Sequence, residues 1–264
     1  MKTLEEVFAS AKNENRAALI GFITAGFPSK STTVEVAKEM VLGGVDIIEV
    51  GFPYSDPVMD GPVIQAAGEV ALSAGTKSAD VLEIVSEITK LGVPVLVMTY
   101  WNPIEKFGVE KFTNALTKVG GAGLITPDLT IEESSAWLES AEKHNLAKVY
   151  VLAPSSSEER IKLVSSKCSG FIYAASLMGV TGVRAAISNG ASELVAKIRN
   201  HSNLPIAVGL GVSNGTQAKS VAKYADGVIV GSAFIKALQS APNFEAGKAA
   251  VKALAAELSE GVRR

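Results

Sequence analysis

Two carboxylates in one short stretch carry the strongest chemical signal in this chain. Glu49 follows the apolar run Val45-Asp46-Ile47-Ile48, and Asp60 stands beyond a loop rich in proline, within Asp60-Gly61-Pro62. Two acids near one mouth, in unlike surroundings, can hold different protonation states and divide the work of an acid and a base. A period of two puts Val45, Ile47 and Glu49 on one face of a strand and Ile48 and Val50 on the other. Glu49 thus ends an apolar row, where burial disfavours its charged form and raises its pKa toward the range of a general acid. The proline and glycine around Asp60 confine the backbone and fix where it stands. A structural ion pair competes with the catalytic reading of Glu49, and an ordinary Asp-Gly turn competes for Asp60.

A second signal lies near the end of the chain. Gly209-Leu210-Gly211 and Gly231-Ser232 each follow an apolar run one repeat apart. Glycine lets backbone N–H groups come close to an anion, which suits a phosphate. A third piece, Gly179 to Gly182, could add a further N–H and close as a lid. Apolar and aromatic residues collect at strand ends: Phe22, Tyr100, Trp101, Ile125 and Tyr173. Together they predict a hollow for a flat apolar group beside the phosphate. The only histidines, His144 and His201, sit at expected helix ends, and no His/Cys cluster suggests a metal. No lysine ends a strand on the expected side, so a Schiff base is unsupported.

Elements must bring these residues together. Apolar runs at 18–25, 45–50, 93–99, 123–126, 148–152, 170–174, 205–209 and 227–230 alternate with helical patterns. The helices are expected at 31–42, 62–73, 78–91, 105–118, 131–144, 157–166, 192–200 and 216–224. Ser31 and Ser78 read as helix caps. Eight strands, each followed by a helix, within 264 residues predict a single (β/α)8 TIM barrel spanning 1–264, with an extra N-terminal helix and additional helices. A doubly wound dinucleotide fold would need a glycine fingerprint after its first strand, where this chain has Thr24-Ala25-Gly26-Phe27-Pro28. Active sites of barrels lie at the C-terminal strand ends, with phosphate on the loops after strands seven and eight.

Composition narrows the field. A hydrophobic fraction of 47% supplies a large core, and a net charge of −2 argues against nucleic acid or an anionic membrane as partner. No apolar run spans a bilayer, the N-terminus lacks an apolar signal region, and the single cysteine, Cys168, cannot form an internal disulfide. It is expected to pack at a strand start, and the chain is expected in the cytoplasm.

Over its whole length the sequence resembles the α subunit of tryptophan synthase. The resemblance rests on Phe22 to Gly26, Glu49 to Pro57, Asp60 to Gln65, Pro127-Asp128-Leu129, Gly179 to Gly182, Gly209-Leu210-Gly211 and Gly231-Ser232. It implies a lyase that cleaves indole-3-glycerol phosphate to indole and glyceraldehyde 3-phosphate. It also implies an α2β2 complex in which indole passes to a β subunit carrying pyridoxal phosphate, with no cofactor in this chain. By the same resemblance Glu49 protonates indole C3 and Asp60 holds the indole N–H. Phe22, Tyr100, Ile125 and Tyr173 line the indole pocket, and Thr181 meets Asp60 on closure. Gly182, Leu210, Gly211, Gly231 and Ser232 cradle phosphate, while Asp56 and Asp128 face the partner. Val58-Met59 and Thr130 depart from the pattern in segments expected to signal to that partner, without removing a chemical group. A lyase working without a partner, or an idle activating subunit, are the alternatives; the idle reading fits poorly with both acids present.

Overall fold

A computed structural model describes residues 2–175, 190–209 and 211–264. The apolar runs form β1 (Ala18–Thr24), β2 (Ile47–Gly51), β3 (Val95–Met98), β4 (Gly123–Ile125), β5 (Ala147–Val149), β6 (Val151–Leu152), β7 (Ile172–Ala175), β8 (Ile206–Gly209) and β9 (Gly227–Val230). Their branched side chains can be buried on both faces, which suits a parallel sheet covered by helices. The strand order is β5-β4-β3-β2-β1-β9-β8-β7-β6, and every pairing within it is parallel. β5 pairs with β4 and β6 with β7, and Tyr150 joins the two, its carbonyl accepting the Tyr173 N–H at 3.2 Å. These two short strands are the fifth strand expected from sequence, handed from one neighbour to the other at Tyr150. The sheet thereby closes as an eight-stranded (β/α)8 barrel.

The helices are α1 (Leu4–Asn13), α2 (Lys30–Leu42), α3 (Pro62–Ser73), α4 (Ser78–Thr89), α5 (Trp101–Phe107), α6 (Val109–Lys118), α7 (Ser135–Lys143), α8 (Glu158–Lys167), α9 (Gly190–Arg199), α10 (Gly215–Ala222), α11 (Ser232–Gln239) and α12 (Phe244–Gly261). The single helix expected over 105–118 is two, broken at Gly108, whose φ of 93° leaves the helical region. Residues 131–134 form turns ahead of α7. Ser29, not Ser31, caps α2 by accepting the Thr32 N–H, and Lys77 precedes α4, with Asp80 accepting the Lys77 N–H at 2.7 Å. Cys168 caps the C-terminus of α8 rather than opening a strand. No helix among the described residues is long and apolar enough to cross a membrane.

Two apolar layers decide which way Glu49 points. Ala18, Ile20, Ile47, Leu96, Ile125, Val149, Phe171, Ala207 and Ile229 fill the barrel interior. Leu4, Val7, Phe8 and Ala11 of α1 pack onto them, with Phe8 and Phe171 ring centroids 5.7 Å apart. Leu19, Ile48, Val50 and Val95 belong instead to the layer between sheet and helices. Since Ile47 faces in and Ile48 out, Glu49 faces in. The register then sets Phe22 opposite Glu49 and Thr24 opposite Gly51.

Candidate active site

The inward rows of β1, β2, β3, β6, β7 and β9 run up to a cavity of about 200 Å³ at the C-terminal strand ends. Its wall brings together Phe22, Glu49, Asp60, Tyr173, Gly211, Gly231 and Ser232, seven of the residues singled out from sequence. Met59, Ile64, Met98, Pro127, Val151 and Ile229 complete much of the lining. Met98, Val151 and Ile229 lie on strands, so extending the period-two rows would have found them. Ile64 on α3 and the loop residue Pro127 gave no such signal.

Glu49 is 1% exposed, and its Oε1 has no hydrogen-bond partner among the described residues. Burial alone pushes its carboxyl up to about 8, so near neutral pH it carries a proton it can give. Burial raises Asp60 less, to about 6, since it is only half-buried and the Tyr100 hydroxyl on its carboxylate offsets part of the effect. Burial thus holds Glu49 further toward its protonated form than Asp60, and the two acids are set apart in their readiness to ionise.

The loop that carries Asp60 is tied at several points. Tyr100 Oη accepts the Met59 N–H at 2.8 Å, and its ring packs 5.2 Å from that of Tyr54. Gln65 Nε2, in the first turns of α3, donates to the Asp60 carbonyl at 2.9 Å and to that of Pro57 at 3.3 Å. Tyr100 itself stands in a narrow recess beside the main cavity, which Asp60 also lines. Ile125 is fully buried in the barrel interior and is not on the cavity wall.

Two glycines make room for aromatic rings. A Cβ on Gly51 would stand 2.3 Å from Cζ of Phe22, and one on Gly209 would stand 2.1 Å from Oη of Tyr173. Gly209, in the glycine-rich stretch expected to meet phosphate, also admits the Tyr173 phenol. That phenol lies near both acids, and burial and their charges hold its pKa well above the usual value.

The opposite wall suits an anion. Gly231 is the N-cap of α11, with no side chain accepting from the first turn, and Ser232 begins the helix. Free N–H groups at a helix start attract negative charge. Gly211 adopts φ of 89°, a backbone shape that favours glycine. No Lys, Arg or His lines the cavity among the described residues. Thr181, Gly182 and Leu210 lie outside the described residues.

Asp56 and Asp128 sit apart from the cavity wall. Asp128 accepts the Trp101 N–H with both oxygens, at 3.0 and 3.1 Å, linking the loop after β4 to the start of α5. Asp56 accepts from Ser55 Oγ at 2.6 Å on the exposed loop after β2, where Val58 is 72% exposed. His144 meets Glu110 at 3.1 Å and His201 meets Glu158 at 3.3 Å, both outside the cavity. No group of three metal-binding side chains occurs among the described residues.

Barrel, paired buried carboxyls and a helix start on one cavity wall place the chain among enzymes of the (β/α)8 class. The family model for the tryptophan synthase alpha chain matches residues 8–263. The chain is 52% identical over 264 residues to the tryptophan synthase alpha chain of Streptomyces coelicolor, covering 100% of this chain and 97% of that one. It is 54% identical over 261 residues to that of Streptomyces avermitilis, covering 98% and 94%. A solved structure of Mycobacterium tuberculosis tryptophan synthase superposes with a TM-score of 0.93 at 46% identity, covering 99% and 98%. The chain belongs to the tryptophan synthase alpha chain family.

Proposed function

We propose that Glu49 and Asp60 divide the acid–base work of this family's reaction, the cleavage of indole-3-glycerol phosphate to indole and glyceraldehyde 3-phosphate. The chain is a carbon–carbon lyase of that kind. The observation that carries the division of roles is the unlike burial of two carboxyls on one cavity wall, about 8 for Glu49 and about 6 for Asp60.

The substrate's phosphate lies against Gly211, Gly231 and Ser232, and its indole ring fills the apolar hollow between Phe22 and Tyr173. Protonated Glu49 gives its proton to indole C3, and the ring becomes an indolenine cation. Ionised Asp60 accepts the indole N–H bond and stabilises that positive charge. The Glu49 carboxylate just formed then takes the proton of the glycerol hydroxyl next to the ring. As the aldehyde C=O forms, the carbon–carbon bond breaks and its electron pair restores the aromatic ring. Glu49 ends protonated, ready for the next turnover. Tyr100, in the recess next to the ring's hollow, orients Asp60; Ile125 backs the pocket from within the barrel. Family resemblance assigns Thr181, Gly182 and Leu210 to the same substrate.

Asp56 and Asp128 face a β subunit in an α2β2 complex, which takes up the indole with its pyridoxal phosphate. This chain needs no cofactor of its own. We read residues 1–264 as one barrel domain that works in the cytoplasm.

Glu49→Gln tests the assignment. The amide keeps the shape and cannot give the proton, so turnover falls by roughly 10²- to 10⁴-fold while circular dichroism is unchanged. A loss smaller than about tenfold would remove Glu49 from the acid role.

A further inference from the structure

Thr24 ends β1 on the same inward row as Ile20 and Phe22. It is 2% exposed, and its hydroxyl oxygen has no hydrogen-bond partner among the described residues. Buried hydroxyls in folded proteins are almost always met by a protein group, an ordered water or a ligand. Thr24 opens on the narrow recess beside the main cavity, together with Phe52, Asp60, Gln65 and Tyr100. The free volume there is about 30 Å³. That is room for roughly one water, and far too little for an indole ring. A water in such a place needs two to four polar partners; Thr24 and Asp60 supply two, the Tyr100 hydroxyl being taken already by the Met59 N–H and the Asp60 carboxylate.

We infer that Thr24 is a positioning residue whose hydroxyl holds a single water in this recess against the Asp60 carboxylate. Thr24 Oγ1–H donates to the water oxygen, and the water donates to Asp60. A threonine in a strand has little χ1 freedom, so the anchor is stiff. The water favours the ionised carboxylate and fixes which way it faces, as the Tyr100 hydroxyl does from the neighbouring side. The titratable groups around Asp60 are Glu49 on β2, Tyr54 on the following loop, Tyr100 before α5 and Tyr173 on β7. No Lys, Arg or His lines either hollow among the described residues, so hydrogen bonds carry the work a cation would otherwise do. The inference rests on the role given to Asp60 above, but its test needs no substrate.

The experiment is a carbon-13 NMR titration of the Asp60 carboxyl in the intact, ligand-free chain, assigned with Asp60→Asn. Thr24→Val keeps the shape and removes the hydroxyl, and the Asp60 midpoint rises by at least ~0.5 pH unit, about threefold in its ionisation constant. Thr24→Ser keeps the hydroxyl and titrates within ~0.2 unit of the wild type. Thr24→Ala serves in place of Val if the valine variant does not fold, with the same expected rise. Wild-type midpoints in the Val or Ala variant, or a Ser variant that behaves like Val, would overturn the inference. So would a high-resolution crystal structure in which the recess is dry. Loss of turnover in Asp60→Asn with an unmoved midpoint in Thr24→Val would leave the catalytic role of Asp60 standing and remove only Thr24.

Discussion

A carboxyl buried without a partner is a cost that folding does not repay, and Glu49 is such a group. Between its ordinary value of 4.5 and about 8, the folded chain keeps a proton that the unfolded chain has lost. The contribution of Glu49 to stability is therefore whole below 4.5 and is lost as pH rises through that window. Glu49→Gln has no such proton, so urea unfolding should find it increasingly more stable than the wild type as pH rises. The gap grows by up to about 1.4 kcal/mol per pH unit and levels off above the window. A gap that does not change with pH would mean that Glu49 is solvated or paired in the folded chain. Its place at the end of an apolar strand row was legible from spacing alone. Its inward direction was not, because either face of a doubly buried strand is apolar, and only the barrel's two core layers decide between them.

At the scale of elements, alternation of apolar runs and helical patterns was enough to give the barrel, since each β-run here is short, branched and followed by a helix. What it did not give depends on single backbone positions. Gly108 divides one apparent helix into α5 and α6, and Tyr150 marks where a strand changes neighbours. The duties of Gly51 and Gly209 depend on rings that arrive from other strands, which no local pattern reports. Gly209→Ala puts a methyl group 2.1 Å from Tyr173 Oη and should cost about 1–3 kcal/mol of stability as well as activity. Adding Tyr173→Phe removes that oxygen but leaves Cζ at 2.5 Å, so denaturant melts should show partial recovery. Strictly additive costs in that double-mutant cycle would mean that the two residues do not meet.

The whole molecule presents an exposed loop, with Val58 and Met59, directly beside the loop-borne acid. Met59 spans both worlds, lining the cavity while 42% exposed, and its N–H is held by Tyr100. A β subunit that binds this loop in its productive arrangement would shift the population of Asp60 toward the working position. Titrating a β subunit into the chain under saturating substrate should raise lyase kcat by at least about tenfold, or ~1.4 kcal/mol in equilibrium terms. A flat response from a complex shown by ultracentrifugation to be tight would favour a lyase that works alone. The assignment of Asp56 and Asp128 to a partner rests on family resemblance alone, because an exposed aspartate on a loop has no local pattern of its own.

The division of labour between the two acids is tested most directly by the pH dependence of kcat/KM for indole-3-glycerol phosphate. On the acid side Asp60, at about 6, overlaps the second ionisation of the substrate's phosphate near ~6, so that limb is shared. The alkaline limb is clean: Tyr100 and Tyr173 are both raised above the usual tyrosine range, and of the described groups on the cavity wall Glu49 is the one pushed up to about 8. The rate should fall tenfold per pH unit above about 8, as Glu49 gives up the proton that indole C3 must receive. A rate that holds steady or climbs from pH 8 to beyond about 9.5, with the chain still folded, would contradict a protonated Glu49 as the acid.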